Sequence, residues 1–99
     1  LAFLVALARV VAEHRGLLGW HQRAEGETTW RPAIEEALAI AAASGAALQL
    51  SHLTPYYPNW GRQREALALL EAARRRGIDV ATDVPPYLRG VDPIAAIVP

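Results

Sequence analysis

Apolar residues recur along this chain with two different periods. Leu1, Leu4, Val5, Ala8, Val11 and Ala12 lie three and four positions apart, with Arg9 and Glu13 on the opposite side. That spacing predicts a helix burying one face. Ile34, Ala37, Leu38 and Ala41 repeat it, with Glu35 and Glu36 turned away and Pro32 near the start, where a missing N–H costs nothing. Ala66, Leu69, Leu70 and Ala73 form a third stripe that runs into Arg74 to Arg76, cations suited to a helix C-terminus. Between the stripes stand short apolar runs, Leu17 to Trp20, Ala47 to Leu50 and Ile78 to Ala81, each with the length of a buried strand. A glycine precedes each run: Gly16, Gly45 and Gly77. Glycine past a helix end adopts the left-handed conformation cheaply, so these three positions predict helix stops. They recur roughly every 30 residues, the length of a strand, loop and helix. The chain therefore reads α-β-α-β-α-β, with Asp92-Pro93-Ile94 as the capped start of a fourth helix.

Strands alternating with helices imply an α/β fold with a parallel sheet and right-handed crossovers. Helices connected with one hand fall on one side of three strands and leave the other face bare. A (β/α)8 barrel resolves this, because its inner face packs on itself, and three strands amount to about three eighths of one. A doubly wound nucleotide-binding sheet is the alternative, but no Gly-x-Gly-x-x-Gly follows any strand. Residues 1–99 are thus expected to form a single segment of such a TIM barrel, with three to four helices. That is an incomplete domain.

Composition narrows the function classes. The chain has no Cys, so it holds no disulfide, thiol nucleophile or cysteine zinc ligand. Ten arginines balance ten acids and lysine is absent. That excludes a Schiff-base lysine and leaves no basic footprint for nucleic acid or a membrane surface. Charges interrupt every apolar run, so nothing spans a bilayer. Leu1 to Val11 lacks a basic flank and a cleavage site and reads as an amphipathic helix rather than a signal peptide. A chain starting at Leu and lacking Met is expected to be an internal piece of a larger protein. A cytoplasmic location is expected, with a signal peptide in the parent left open.

The chemistry gathers after the strands. The first is followed by His21-Gln22-Arg23, the second by Ser51-His52-Leu53-Thr54 and the third by Thr82-Asp83-Val84-Pro85-Pro86-Tyr87. Loops at strand C-termini converge on one mouth in α/β enzymes. His21 and His52 hold comparable places on consecutive strands about 4.8 Å apart. Two imidazoles so placed can share one metal ion at about 2.0–2.1 Å, or each can simply form a hydrogen bond at a loop entrance. His14, between Glu13 and Arg15, reads as surface. Asp83 is open to roles as ligand, base, orienting carboxylate or loop cap. Tyr56-Tyr57-Pro58-Asn59-Trp60 can wall an apolar pocket or pack over the rim.

Taken in order, these segments resemble the N-acyl-D-amino-acid deacylase (D-aminoacylase) branch of the amidohydrolase superfamily. The carriers are His21-Gln22-Arg23, Glu36-Ala37-Leu38, Gln49-Leu50-Ser51-His52-Leu53, Asn59-Trp60-Gly61-Arg62, Ala66 to Arg74 and Gly77 to Tyr87. The resemblance implies a metal-dependent (β/α)8 barrel cleaving N-acyl-D-amino acids, small-molecule substrates, by metal-activated water. It implies that His21 and His52 bind Zn2+, one or two ions in the parent. A cysteine, a His-x-His and a late aspartate would come from outside these residues. Arg23, Thr54 and Tyr87 fall at substrate-binding positions, Arg23 being open to a structural salt bridge as well.

Two departures bear on substrate. Thr54 stands where the family commonly has lysine, and Pro85 where it has the first tyrosine of Tyr-Pro-Tyr. Those side chains are associated with the substrate carboxylate, so their loss leaves fewer charge-assisted contacts. Alternatives therefore stay open: a cyclic-amide hydrolase of the dihydroorotase or hydantoinase kind, or a truncated, non-catalytic copy. The isolated chain is expected to be inactive and to self-associate.

Overall fold

The computed structural model describes residues 1–86 and Ile94. Tyr87 and the helix start expected at 92–94 lie outside the described residues, Ile94 apart. The elements follow the expected order: α1 (Ala2–Glu13), β1 (Leu17–His21), α2 (Trp30–Ser44), β2 (Ala47–Ser51), α3 (Gln63–Arg75) and β3 (Val80–Thr82). The three strands form one parallel sheet in the order β1-β2-β3. Leu17 pairs with Ala47, His21 with Ser51, and Leu50 with Thr82. This is an α/β arrangement of three parallel strands and three helices.

Side-chain alternation divides the sheet into two unlike faces. Leu48, Leu50 and Val80 are buried and join Trp30, Ile34, Ala37, Leu38 and Ala41 of α2 and Ala66, Leu70 and Ala73 of α3 in one core. Ala8 of α1, Ile40 and Ala46 form a second cluster, with Leu18 and Trp20 packed against it. The opposite set of β1, namely Leu17, Gly19 and His21, is exposed. Ala47, Gln49 and Ser51 of β2 are half-buried. One face is therefore covered by helices, while the other is left open among the described residues.

The helix ends match the expected stops in two cases and differ in one. Gly45 has φ 77° and Gly77 has φ 89°, and the Gly45 amide donates to the Ala41 carbonyl at 2.9 Å. At the end of α1 the left-handed residue is Arg15, with φ 52°. Gly16 serves a different need there. A Cβ on it would meet Val11 Cγ1 at 3.2 Å and the Val11 carbonyl at 3.3 Å, the carbonyl to which the Gly16 amide donates. The third strand also starts later than its apolar run suggests. The Ile78 amide still donates to Ala73 in the last turn of α3, which delays the ladder to Val80. No helix among the described residues is long and apolar enough to cross a membrane.

Candidate metal centre

His21 closes β1 and His52 follows β2 directly, so parallel pairing brings both to the same end of the sheet. Their ring centroids lie 5.3 Å apart with planes at 85°. The His21 Nδ1 lies 3.1 Å from the Gln22 carbonyl. A carbonyl only accepts, so this bond puts the proton on Nδ1 and leaves the Nε2 lone pair free. Metal-binding histidines are commonly fixed in this way.

His52 is held by its backbone. Its φ is 51°, a left-handed conformation that costs a non-glycine residue roughly 1–2 kcal/mol. Its amide donates to Asp83 Oδ1 at 2.9 Å. Its carbonyl accepts from Gln22 Nε2 at 3.4 Å and from the Thr54 amide at 2.6 Å. The second oxygen of Asp83 accepts from Gln49 Nε2 at 2.8 Å. These two bonds, the His52 amide first, hold the Asp83 carboxyl below its ordinary pKa, because both stabilise the charged form.

The pair suits a zinc ion. Two imidazole nitrogens about 2.0–2.1 Å from one tetrahedral ion set the ring centres about 5 Å apart, close to the observed separation. Both residues are exposed. Among the described residues no group of three His, Cys, Asp or Glu is placed to hold a metal. The pair by itself amounts to two potential ligands, and both oxygens of Asp83 already accept from protein donors.

The remaining candidates are dispersed. Arg23 donates from Nε to Glu36 Oε2 of α2 at 3.1 Å, with its side chain 63% exposed. Thr54 is half-buried, and its hydroxyl is buried without a partner among the described residues. Tyr87 lies outside them. His14 caps the end of α1 and is exposed. Tyr57 and Trp60 meet edge to face at 5.7 Å and are 77% and 73% exposed.

Two buried amides went unassigned in the sequence. Gln22, between His21 and Arg23, is 3% exposed, and Asn59 is fully buried. Asn59 donates to the Glu25 carbonyl at 2.7 Å and accepts from Arg62 Nη1, which also donates to the Glu27 carbonyl at 2.9 Å. The loop after β2 is thereby tied to the loop after β1. The Arg62 guanidinium also covers the Trp30 ring at 5.1 Å from its centroid and pairs with Glu65 at 2.8 Å. Composition offers no sign of such roles, since the bonds to the Glu25 and Glu27 carbonyls join segments some 30 residues apart.

Comparison with known proteins finds relatives along most of the chain. The chain is 41% identical over 87 residues to an N-acyl-D-glutamate deacylase of Alcaligenes xylosoxydans xylosoxydans. It is 36% identical over 88 residues to a D-aminoacylase of the same organism. These alignments cover 87% and 88% of the chain and 18% of each relative. The crystal structure of an N-acyl-D-glutamate deacylase from Bordetella bronchiseptica, complexed with zinc and a phosphonate inhibitor mimicking the tetrahedral intermediate, superposes with a TM-score of 0.81. That alignment is 45% identical and covers 87% of this chain and 18% of the other. No family model matches. The chain thus spans less than a fifth of the relatives it matches.

Proposed function

This chain is a homologue of the N-acyl-D-amino-acid deacylases, and we propose that it forms the part of a zinc-dependent amidohydrolase that contributes two metal ligands. The observation that carries this reading is the His21–His52 pair, two imidazoles at adjacent strand ends with the separation one ion requires. In this reading the sheet's open face is the inner wall of a (β/α)8 barrel, and the ends of β1, β2 and β3 lie at its catalytic mouth. Gly19, Ala47 and Ala81 on that face are small, which suits an interior filled by side chains from other strands.

His21 would hold the ion through Nε2, the nitrogen left free by the bond from Nδ1 to the Gln22 carbonyl. His52 presents its ring from a backbone held by Asp83. A zinc ion held there would lower the pKa of a bound water toward neutrality and polarise the substrate carbonyl. The substrate is an N-acyl-D-amino acid. Its carboxylate is assigned to Arg23, which exchanges its Glu36 partner for the ligand. Thr54, whose hydroxyl is buried, and Tyr87 stand at the family's substrate-binding positions without an observed part in it. The missing lysine beside His52 makes an arginine contact the strongest charge this segment offers to an anion.

The test uses the full-length protein that contains this segment. Zinc content and hydrolysis of N-acetyl-D- and N-acetyl-L-amino acids are measured for the wild type and for His52→Ala. Zinc loss, together with D-selective hydrolysis that falls at least a hundredfold in the variant, is expected. Unchanged zinc content and unchanged amidase activity in His52→Ala would sink the reading.

A further inference from the structure

Asp83 lies next to a candidate metal pair, yet both its oxygens face protein donors. Oδ1 accepts from the His52 backbone amide at 2.9 Å and Oδ2 from Gln49 Nε2 at 2.8 Å. Its main chain is tied to β2 and the segment that leaves it. The Asp83 amide donates to Leu50 at 3.2 Å, and its carbonyl accepts from the Leu53 amide at 3.0 Å. Asp83 therefore grips the backbone on both sides of His52, and Gln22 holds the His52 carbonyl from β1 at 3.4 Å. His52 itself sits at φ 51°, a conformation that persists in a non-glycine residue only where its surroundings enforce it. Where the ring points depends on that φ, because the side chain leaves the backbone from Cα. A relaxed, extended His52 would swing its imidazole away from His21.

We infer that Asp83, assisted by Gln22, is a positioning residue that holds His52 in the left-handed conformation and so sets the separation of the two imidazoles. Its side-chain oxygen is used to orient one histidine through the backbone, and it is neither a metal ligand nor a proton carrier. Three strands are thereby joined at one point: Gln22 after β1, Gln49 on β2 and Asp83 after β3. The arrangement works like the outer-shell partners of metal sites, whose loss typically weakens metal binding roughly 10- to 100-fold. It differs in acting through the backbone amide of the ligand rather than through its ring.

This inference rests on the reading of His52 as a ligand, and the experiment keeps the two apart. In the full-length protein, zinc affinity is measured by competition with a chromophoric chelator for wild type, His52→Ala, Asp83→Ala and Asp83→Asn. The nuclear Overhauser contact between the His21 and His52 rings is recorded in the metal-free protein. Asp83→Asn keeps an oxygen for the His52 amide. It is expected to retain the ring contact and to bind zinc within about threefold of wild type. Asp83→Ala is expected to lose the contact and to bind zinc at least tenfold more weakly. Gln22→Met, which fills the same space without the amide, is expected to weaken zinc binding several-fold, and it carries the test if Asp83→Ala does not fold. Full zinc affinity and an intact ring contact in Asp83→Ala would overturn the inference. So would Asp83→Asn losing zinc as completely as Asp83→Ala, since a ligand or proton carrier behaves that way. Zinc binding that survives His52→Ala would instead remove the ligand reading and leave the ring contact to decide whether Asp83 positions His52.

Discussion

Glu65 shows how a single residue at the rim is tuned by its partners. Arg62 donates to it from Nε at 2.8 Å and from Nη2 at 3.0 Å, and Arg31 approaches at 3.5 Å. The Arg62 hydrogen bonds, ahead of the charges of Arg62 and Arg31, hold the Glu65 carboxyl below its ordinary pKa. A depressed folded-state pKa stabilises the protein above the unfolded value, about 4.3 for glutamate, and that contribution is lost as pH falls through the folded value. The melting temperature is therefore expected to drop on acidification below about pH 4, and the drop should be shallower in Glu65→Gln. Equal slopes for the two proteins in a pH series of thermal melts would show that this cluster adds nothing. At the same scale, the histidines were legible because their type and spacing are printed in the chain. The roles of Gln22, Asn59 and Asp83 were not, since each depends on a backbone group about 30 positions away. Asp83 in particular was open to four roles until both its oxygens were seen on the His52 amide and Gln49.

Among the elements, helix ends carry the clearest lesson. The sequence places a left-handed glycine after each helix, and Gly45 and Gly77 conform. After α1 the left-handed position falls one residue earlier, on Arg15, and Gly16 is retained because any side chain would press on Val11. Both situations favour glycine, so the stop was readable while its cause was not. Gly45→Ala is expected to cost about 1–2 kcal/mol, because alanine pays the left-handed penalty in full. Gly19→Ala meets nothing within 4 Å and is expected to change stability by less than about 0.5 kcal/mol among these elements. Denaturant titration of the two variants compares them directly. The apolar stripes of α2 and α3 were legible as well: Ile34, Ala37, Ala41, Ala66 and Ala73 are at most 2% exposed. The stripe of α1 is only partly covered, with Ala8 buried and Leu1 68% exposed. Periodicity reports which face a helix would bury, and neighbouring chain determines how much of it is buried.

At the scale of the whole molecule, the open sheet face dominates behaviour. Leu17 on β1 is 62% exposed, and Phe3, Leu7 and Val10 of α1 are each more than half exposed. The outer edges of β1 and β3 are unpaired among the described residues. Such surfaces favour association. The isolated 99-residue chain is expected to sediment as concentration-dependent oligomers, and a monodisperse monomer would contradict this. The same chain is expected to hydrolyse no N-acyl-D-amino acid with zinc added, because two histidines make only part of a catalytic shell. Robust turnover by the purified chain would refute it. The order of elements, the parallel sense of the strands and the histidines at two strand ends all followed from the chain's own pattern. Periodicity is local, and handed crossovers leave few ways to assemble α-β-α-β-α-β. The 5.3 Å approach of the two rings, the left-handed His52 and the carboxylate that holds it were decided only by tertiary structure. They arise where three strand ends, distant in sequence, come within hydrogen-bonding reach.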